Sequence, residues 1–357
     1  MRTGRTAHLL FLADATSVHT QRWVGAMAAR GWRCTVVSRL PHEVPGAEVI
    51  ALGTGEGNAQ WLAAAPRVRS LAHRLRPDVV HGHYITSYGF WAAACGVQPL
   101  VLTGWGSDIL VSPRESRLVR LLTGWTLRRA RLITADSRDM LTEIATYAPR
   151  ARLEQVYWGA DTDKFHPVAK APWPFRIVSL RAWEPNYHID VIVEAVALLR
   201  QAEPGAAIEL HLLGGGSMEA PLRSLVRARG LEPFVHFHGK VDEDRMAALV
   251  NQASVSVSVP ASDATSVSLL ESMASGLPVV VSDLPANRQW VDAAGGFVVP
   301  AGQPAPLADA LKALLREPRL AEQMGRRNRA TVERQASRRS QMDRMDVLYR
   351  QVLGWTP

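Results

Sequence analysis

The sequence predicts an α/β protein of two Rossmann-like domains facing a cleft. Three observations lead there. The chain has 357 residues, more than one ordinary core accommodates. Short apolar runs alternate with amphipathic helical stretches, the pattern of a doubly wound parallel sheet. The alternation pauses at the Pro-rich linker Ala169-Lys-Ala-Pro172-Trp-Pro174 and then restarts. The expected domains are 1–168 and 169–339.

In the first half, His-Leu-Leu-Phe-Leu-Ala runs straight into Asp14, so this apolar stretch is read as a buried strand, Leu9–Leu12, and not as a signal peptide. Thr20–Arg30 is amphipathic and stops at Gly31. Strands are expected at Thr35–Ser38, Val49–Leu52, Val79–His81, Leu100–Thr103 and Leu132–Ala135. Helices are expected at Gln60–Leu75, ended before Pro77, at Thr86–Ala94, at Arg114–Arg129, and at Ser137–Tyr147 with Ser137 as its cap.

After Glu154-Gln-Val156 and the linker, Ile177–Leu180 opens the second series. Helices are expected at Ile189–Arg200, Met218–Arg229, Asp244–Gln252 and Ala305–Arg316, and the tail Glu322–Trp355 is helical and Arg-rich. Strands are expected at Ile208–Leu213, Val235–His238, Ser254–Val259, Pro278–Ser282 and Phe297–Val299.

Composition is that of an ordinary globular protein, with 47% hydrophobic and 21% charged residues. No apolar run approaches the ~20 residues that span a bilayer. Cys34 and Cys95 make neither a disulfide framework nor a metal spacing, which favours a reducing cytoplasm. Lysine occurs only at 164, 170, 240 and 312, a bias toward arginine that GC-rich coding explains. Residues 1–170 hold 21 Lys+Arg against 13 Asp+Glu, and residues 171–357 hold 20 of each, so the net charge of +8 lies entirely in the first half. Such asymmetry speaks of partners, not of fold.

The most informative segment runs from Ser258 to Asp283. A β-branched run breaks at Pro260, a polar loop follows, a helix starts near Thr265 or Ser266 and carries Glu271, and Gly276-Leu-Pro278 ends it before the next strand. This places a helix N-terminus at the carboxyl edge of a strand, where unpaired N–H groups attract phosphate. Asp263 and Glu271 flank it as acceptor-only groups suited to sugar or ribose hydroxyls. A buried helix followed by a plain Gly-Pro turn would read the same way. The segment resembles the signature of retaining glycosyltransferase family 4 (glycosyl transferases group 1), which has the GT-B fold. Asp263 stands where the family more often has Glu, Ala264-Thr-Ser266 stands for Gly-Phe-Gly, and Ser272-Met-Ala-Ser-Gly276-Leu-Pro278-Val fits the remainder.

The resemblance spans nearly the whole chain. Asp78-Val-Val-His81-Gly-His83 is similar to the family's Pro-Asp-x-x-His-x-His. Thr103-Gly-Trp105-Gly-Ser-Asp108 is similar to Thr-x-His-Gly-x-Asp, with Trp105 at the His position. Gly159-Ala-Asp161-x-x-x-Phe165-x-Pro167 is similar to the interdomain motif. The resemblance implies an acceptor-binding first domain, a sugar-nucleotide-binding second domain, and a last helix at about 340–357 that crosses back to the first.

It also implies site roles. Arg181 takes the place of the diphosphate-binding Arg, a residue whose guanidinium grips two oxygens at once. The Lys that usually follows it is missing from Arg181-Ala-Trp-Glu-Pro-Asn-Tyr187-His188, leaving Tyr187 or His188 for hydrogen bonding there. Asp263 would hold the donor sugar and Glu271 the ribose. Gly214, Gly215 and Gly216, together with Ala264, Thr265, Ser266 and Val267 at the helix start, would receive the nucleotide, though a tight turn also explains the glycines. The loop Asp14–Thr20 sits where the family often has Gly-Gly.

His81 and His83 project to one side of a strand end; contact with donor or acceptor sugar, structural packing and metal binding are the three readings, in that order. His236-x-His238 is read as packing.

The expected reaction is same-face transfer from a UDP-, GDP- or ADP-sugar to a lipid-linked, polysaccharide or small-molecule acceptor, without metal and without a protein nucleophile. A silent nucleotide-sugar or glycan binder, or another GT-B enzyme such as an epimerase, is the alternative. Arg114–Arg131 contains six arginines and one acid, with Leu118, Leu121, Leu122 and Trp125 beside them, so it fits either a solvated face or peripheral contact with an anionic membrane. The cytoplasm, or the inner face of the membrane, is the expected location. No nucleic-acid motif accompanies the charge.

Overall fold

The computed structural model describes residues 6–55, 57–169 and 174–355. The centre of the Pro-rich linker, 170–173, lies outside them. The chain forms two compact units, residues 1–158 with 340–357, and residues 159–339.

The first unit contains a seven-stranded parallel sheet ordered β3-β2-β1-β4-β5-β6-β7. Its strands are β1 (His8–Leu12), β2 (Arg33–Ser38), β3 (Ala47–Ala51), β4 (Val79–His83), β5 (Leu100–Thr103), β6 (Leu132–Ala135) and β7 (Arg152–Gln155). The second contains a six-stranded sheet ordered β10-β9-β8-β11-β12-β13. These are β8 (Phe175–Ser179), β9 (Ile208–Leu213), β10 (Val235–Gly239), β11 (Val255–Ser258), β12 (Val279–Ser282) and β13 (Gly296–Val299).

Central strands such as β1, β4, β11 and β12 are buried at every position. Helices cover both faces, so these strands read as continuous apolar runs rather than as alternation. In each sheet the strand order reverses once, between β1 and β4 and between β8 and β11. A crevice at the carboxyl ends of such a strand pair is where open α/β sheets bind ligands.

Three expectations need correction, and the helical tail shows a break. The unit boundary falls after Trp158, not after 168. The backbone of 160–166 is tied into the second unit: Ala160 N–H donates to the Ala336 carbonyl, Arg329 donates to the carbonyls of Thr162 and Phe165, and His166 N–H donates to Asn251 Oδ1. The Arg-rich tail is two helices, Pro318–Gln335 and Arg338–Val352. They part where Ser337 bridges Ala160, which withdraws that backbone from the helical ladder. The basic helix over 114–129 is interrupted at Ser116, which is extended and caps a shorter helix, Arg117–Leu127, by accepting from Val119 N–H. Thr86–Ala94 opens with a π turn, Ile85–Gly89, before the α-helix Phe90–Ala94. No described helix is long and apolar enough to cross a membrane.

Candidate functional site

In the second unit, β8 ends at Ser179 and delivers Arg181 to the switch point beside β11. The Arg181 side chain is 11% exposed and is drawn toward the loop after β11. Nη2 donates to Asp263 Oδ2 at 2.7 Å, and Nη1 donates to Ser266 Oγ and, at 3.2 Å, to Ser268 Oγ. The Tyr187 ring lies under the guanidinium, 4.4 Å from ring centroid to Cζ. Arg181 Nε is buried and meets no partner among the described residues. One planar donor therefore stays uncommitted beside a cation already fixed in place.

Ser266 also caps the helix Val267–Ala274 by accepting from Leu269 N–H at 3.3 Å. The guanidinium and the positive end of that helix thus share one serine. Asp263 Oδ1 accepts from Ala264 N–H, and burial raises the carboxyl pKa against the opposing pull of Arg181. Thr265 is buried, with Oγ1 accepting from Gln289 Nε2 at 2.7 Å. Glu271 is buried one turn into the helix, and Val267 is half-buried.

Asn186 joins the two loops, donating from Nδ2 to the Ser262 carbonyl and accepting from Ala261 N–H at its own carbonyl. His188 faces inward, its Nδ1 3.1 Å from the Val259 carbonyl. Tyr187 supplies a ring face and His188 an internal bond, so neither replaces the charge of the missing Lys.

The Gly-rich turn follows β9. Gly214 and Gly216 have φ of 151° and 158°, and a Cβ on either would collide with the carbonyl of Arg181 or Trp183. Their role in the fold is close approach to the 181–184 loop. Ser217 N–H and Oγ both donate to the Glu184 carboxylate, pinning the end of the turn. Lys240, which has no role in the sequence reading, lies beside this turn. Its Cγ and Cε run 3.6 Å from where a Cβ on Gly215 would lie. The signal for it was a rare lysine directly after Gly239, at the carboxyl end of β10.

In the first unit, β4 carries His81 and His83 to its carboxyl end, and both are fully buried. His81 Nδ1 is 2.5 Å from Tyr349 Oη, and Nε2 is 2.7 Å from Thr103 Oγ1, which is 2.6 Å from Thr134 Oγ1. Trp23 Nε1 donates to the same tyrosine oxygen at 3.2 Å. Both ring nitrogens of His81 are thus spent inside the unit, and this corrects the expectation that it offers one to a sugar. Burial, with His83 alongside, holds its pKa well below the usual value.

His83 lies among the rings of Phe11, Trp23, Trp105 and Trp158, at centroid distances of 5.3 to 6.1 Å. Neither of its nitrogens meets a hydrogen-bond partner among the described residues. Burial first, and His19 second, push its pKa down to about 3, so the imidazole is neutral. Asp108 is also fully buried and accepts from the N–H groups of Ile85, Trp105 and Gly106. Burial outweighs those bonds and raises its carboxyl to about 6. Among the described residues the only group with metal-ligand geometry is Glu209, His211 and His236, in the second sheet.

Two doubly wound parallel sheets, with an Arg and a capped helix at the switch point of the second, define a GT-B protein. The sequence matches Glycosyl transferase 4-like over residues 8–137 and Glycosyl transferases group 1 over residues 161–331. It is 37% identical over 342 residues to the phosphatidyl-myo-inositol mannosyltransferase of Mycobacterium leprae, covering 90% of this chain and 89% of that protein. The chain belongs to the glycosyl transferases group 1 family.

Two solved structures share the fold. Sucrose-phosphate synthase from Thermosynechococcus elongatus superposes with a TM-score of 0.81 at 18% identity, covering 98% of this chain and 100% of that one. Anabaena Alr3699/HepE in complex with UDP gives a TM-score of 0.78 at 15% identity, covering 97% and 100%. The chain spans about three-fifths, 59% and 61%, of the length of two other curated relatives that it matches.

Proposed function

We propose that the protein transfers a sugar from a nucleoside-diphosphate sugar to an acceptor hydroxyl with retention at the anomeric carbon. The observation that carries this reading is Arg181, held by Asp263, Ser266 and Ser268 at the mouth of the helix Val267–Ala274. A leaving diphosphate needs fixed positive charge, and a pre-oriented guanidinium beside a helix N-terminus supplies it without reorganisation. Lys240, whose side chain runs beside Gly215, is the residue this reading assigns to the role of the family's missing Lys. The UDP bound in HepE supports a nucleotide donor.

Asp263 is committed to Arg181 and does not serve as a nucleophile in this reading; positioning of the acceptor and stabilisation of the departing charge do the work. The second unit takes the donor and the first takes the acceptor.

A membrane-borne, lipid-linked acceptor is favoured by one surface. On the helix Arg117–Leu127, Leu118 is 55% and Leu121 72% exposed, next to the exposed arginines 117 and 120. Apolar side chains rimmed by arginine suit the interface of an anionic bilayer.

The test has two stages. Thermal-shift measurement with UDP-, GDP- and ADP-sugars should give stabilisation by one nucleotide class, lost in Glu271→Ala. Transfer assays with that donor and lipid or glycan acceptors, with the product anomer read by NMR, should then show retention. Donor binding without transfer to any acceptor would favour the silent binder, and an inverted product would overturn the mechanism.

A further inference from the structure

Away from Arg181, one face of the second sheet gathers four side chains of ligand chemistry. Glu209 and His211 lie two residues apart on β9 and so share a face, while Leu210 and Leu212 between and beyond them enter the core. His211 is the register partner of His236 on the edge strand β10, and His238 follows two residues later. One oxygen of Glu209 and one ring nitrogen each of His211 and His236 lie within 4.8 Å of one another. His211 Nε2 is 3.3 Å from Glu209 Oε2, and its Nδ1 is 3.0 Å from His238 Nε2. The His211 and His236 rings have centroids 4.7 Å apart.

We propose that Glu209, His211 and His236 form a binding site for one divalent transition-metal ion of the zinc type, with water completing the shell. Two ligands at zinc bond lengths on a tetrahedral centre stand about 3.3 Å apart. The Glu209–His211 pair already has that separation. The remaining nitrogen of His211 then has an acceptor, His238 Nε2, in the place where metal-bound imidazoles ordinarily meet a carboxylate, carbonyl or water. Nδ1–H donates to His238 Nε2, which fixes the tautomer and leaves the Nε2 lone pair for the ion.

Two imidazoles and one carboxylate select Zn²⁺, Ni²⁺ or Cu²⁺ over the oxygen-seeking Mg²⁺ and Ca²⁺. His211 and Glu209 keep 15% and 31% of their side chains exposed, so an ion reaches them from solvent. Arg176 Nε, 3.4 Å from Glu209 Oε2, is the group the ion displaces. Packing alone does not ask for these residues, because β-branched or aromatic side chains serve a half-buried sheet face better. The site shares no residue with the Arg181 cluster and is independent of the transfer reaction.

The test uses tag-free full-length protein and Zn²⁺ alone, by equilibrium dialysis and calorimetry at about pH 7.5, where free imidazole is largely neutral. A single saturable ion per chain is expected, with a raised Tm and no response to Mg²⁺. His211→Gln and His236→Gln should each abolish that uptake. His238→Gln should weaken it about 10- to 100-fold, as loss of an outer-shell partner does. Co²⁺ should give the absorption of a tetrahedral ion in the wild type and lose it in His236→Gln. Absence of saturable uptake by the wild type would overturn the site. So would uptake unchanged in a folded His211→Gln/His236→Gln double variant, which would place the ion on other histidines.

Discussion

Arg181 is where residue-scale chemistry can be separated from bland packing. Both terminal nitrogens donate to this cluster of Asp263, Ser266 and Ser268, so the guanidinium is oriented before any ligand arrives. Arg181→Ala should lower kcat/KM about 100-fold or more, as loss of one charge-stabilising donor does, and should also lower Tm, because it leaves the Asp263 carboxylate without its counter-charge. Arg181→Lys should recover only part of this, because a point charge lacks the planar fork. Equal activity in all three proteins, measured on a sugar-nucleotide donor, would remove Arg181 from the site.

Asp263→Asn should cost about 3 kcal/mol of stability in urea titration, since it leaves a mostly buried cation without its counter-charge. At this scale the sequence was legible for residue types and misleading for their company. Gly214 and Gly216 read as a close approach to nucleotide or as a tight turn, and their missing Cβ atoms make room for the backbone of Arg181 and Trp183. His81 was read as facing substrate, yet Tyr349 and Thr103 take both its nitrogens. Tyr349 lies 268 residues away in sequence, a partner that no local spacing could reveal.

At the scale of elements the strands were the most legible part. A fully buried strand is an apolar run bounded by polar, Pro or Gly residues, and β5 and β6 begin and end where their runs do. Helix continuity was the least legible. Ser116 and Ser337 break stretches whose composition reads as unbroken helix, because capping and bridging bonds compete with the ladder there.

The break at Ser116 bears on the proposed membrane contact. It starts a separate short helix whose outer face carries Leu118 and Leu121 beside arginines 117 and 120. Leu121→Asp, or Arg117→Glu with Arg120→Glu, should reduce co-sedimentation with vesicles rich in anionic lipid while leaving turnover of a soluble acceptor unchanged. The charge variants should also abolish the salt dependence of binding. Equal co-sedimentation with neutral and anionic vesicles, before and after substitution, would return this helix to an ordinary solvated face.

Across the whole molecule the buried ionisable groups write the proton inventory of folding. His83 is fully buried with its pKa near 3, whereas in the unfolded chain it titrates near 6.5. A depressed folded pKa means stability that is present above about pH 6.5 and is lost as pH falls toward 3. His81 acts in the same direction. Asp108, raised to about 6, acts in the opposite one: its contribution is fully present below the unfolded carboxyl pKa and is lost as pH rises through 6. Asp263, also raised by burial, adds to that opposition.

These terms overlap between about pH 4 and 6, so the wild-type curve alone does not isolate any of them. A difference between two proteins does. His83→Phe keeps an aromatic ring in the cage of Trp23, Trp105 and Trp158 and removes one titrating group. Its stability, from urea unfolding between about pH 4 and 7, should fall less steeply on acidification than that of the wild type. The gap should approach about 1.4 kcal/mol per pH unit, the linkage for one proton taken up on unfolding. Parallel curves would mean that His83 already carries its proton in the folded state. The imidazole would then have a hydrogen-bond acceptor within the cage.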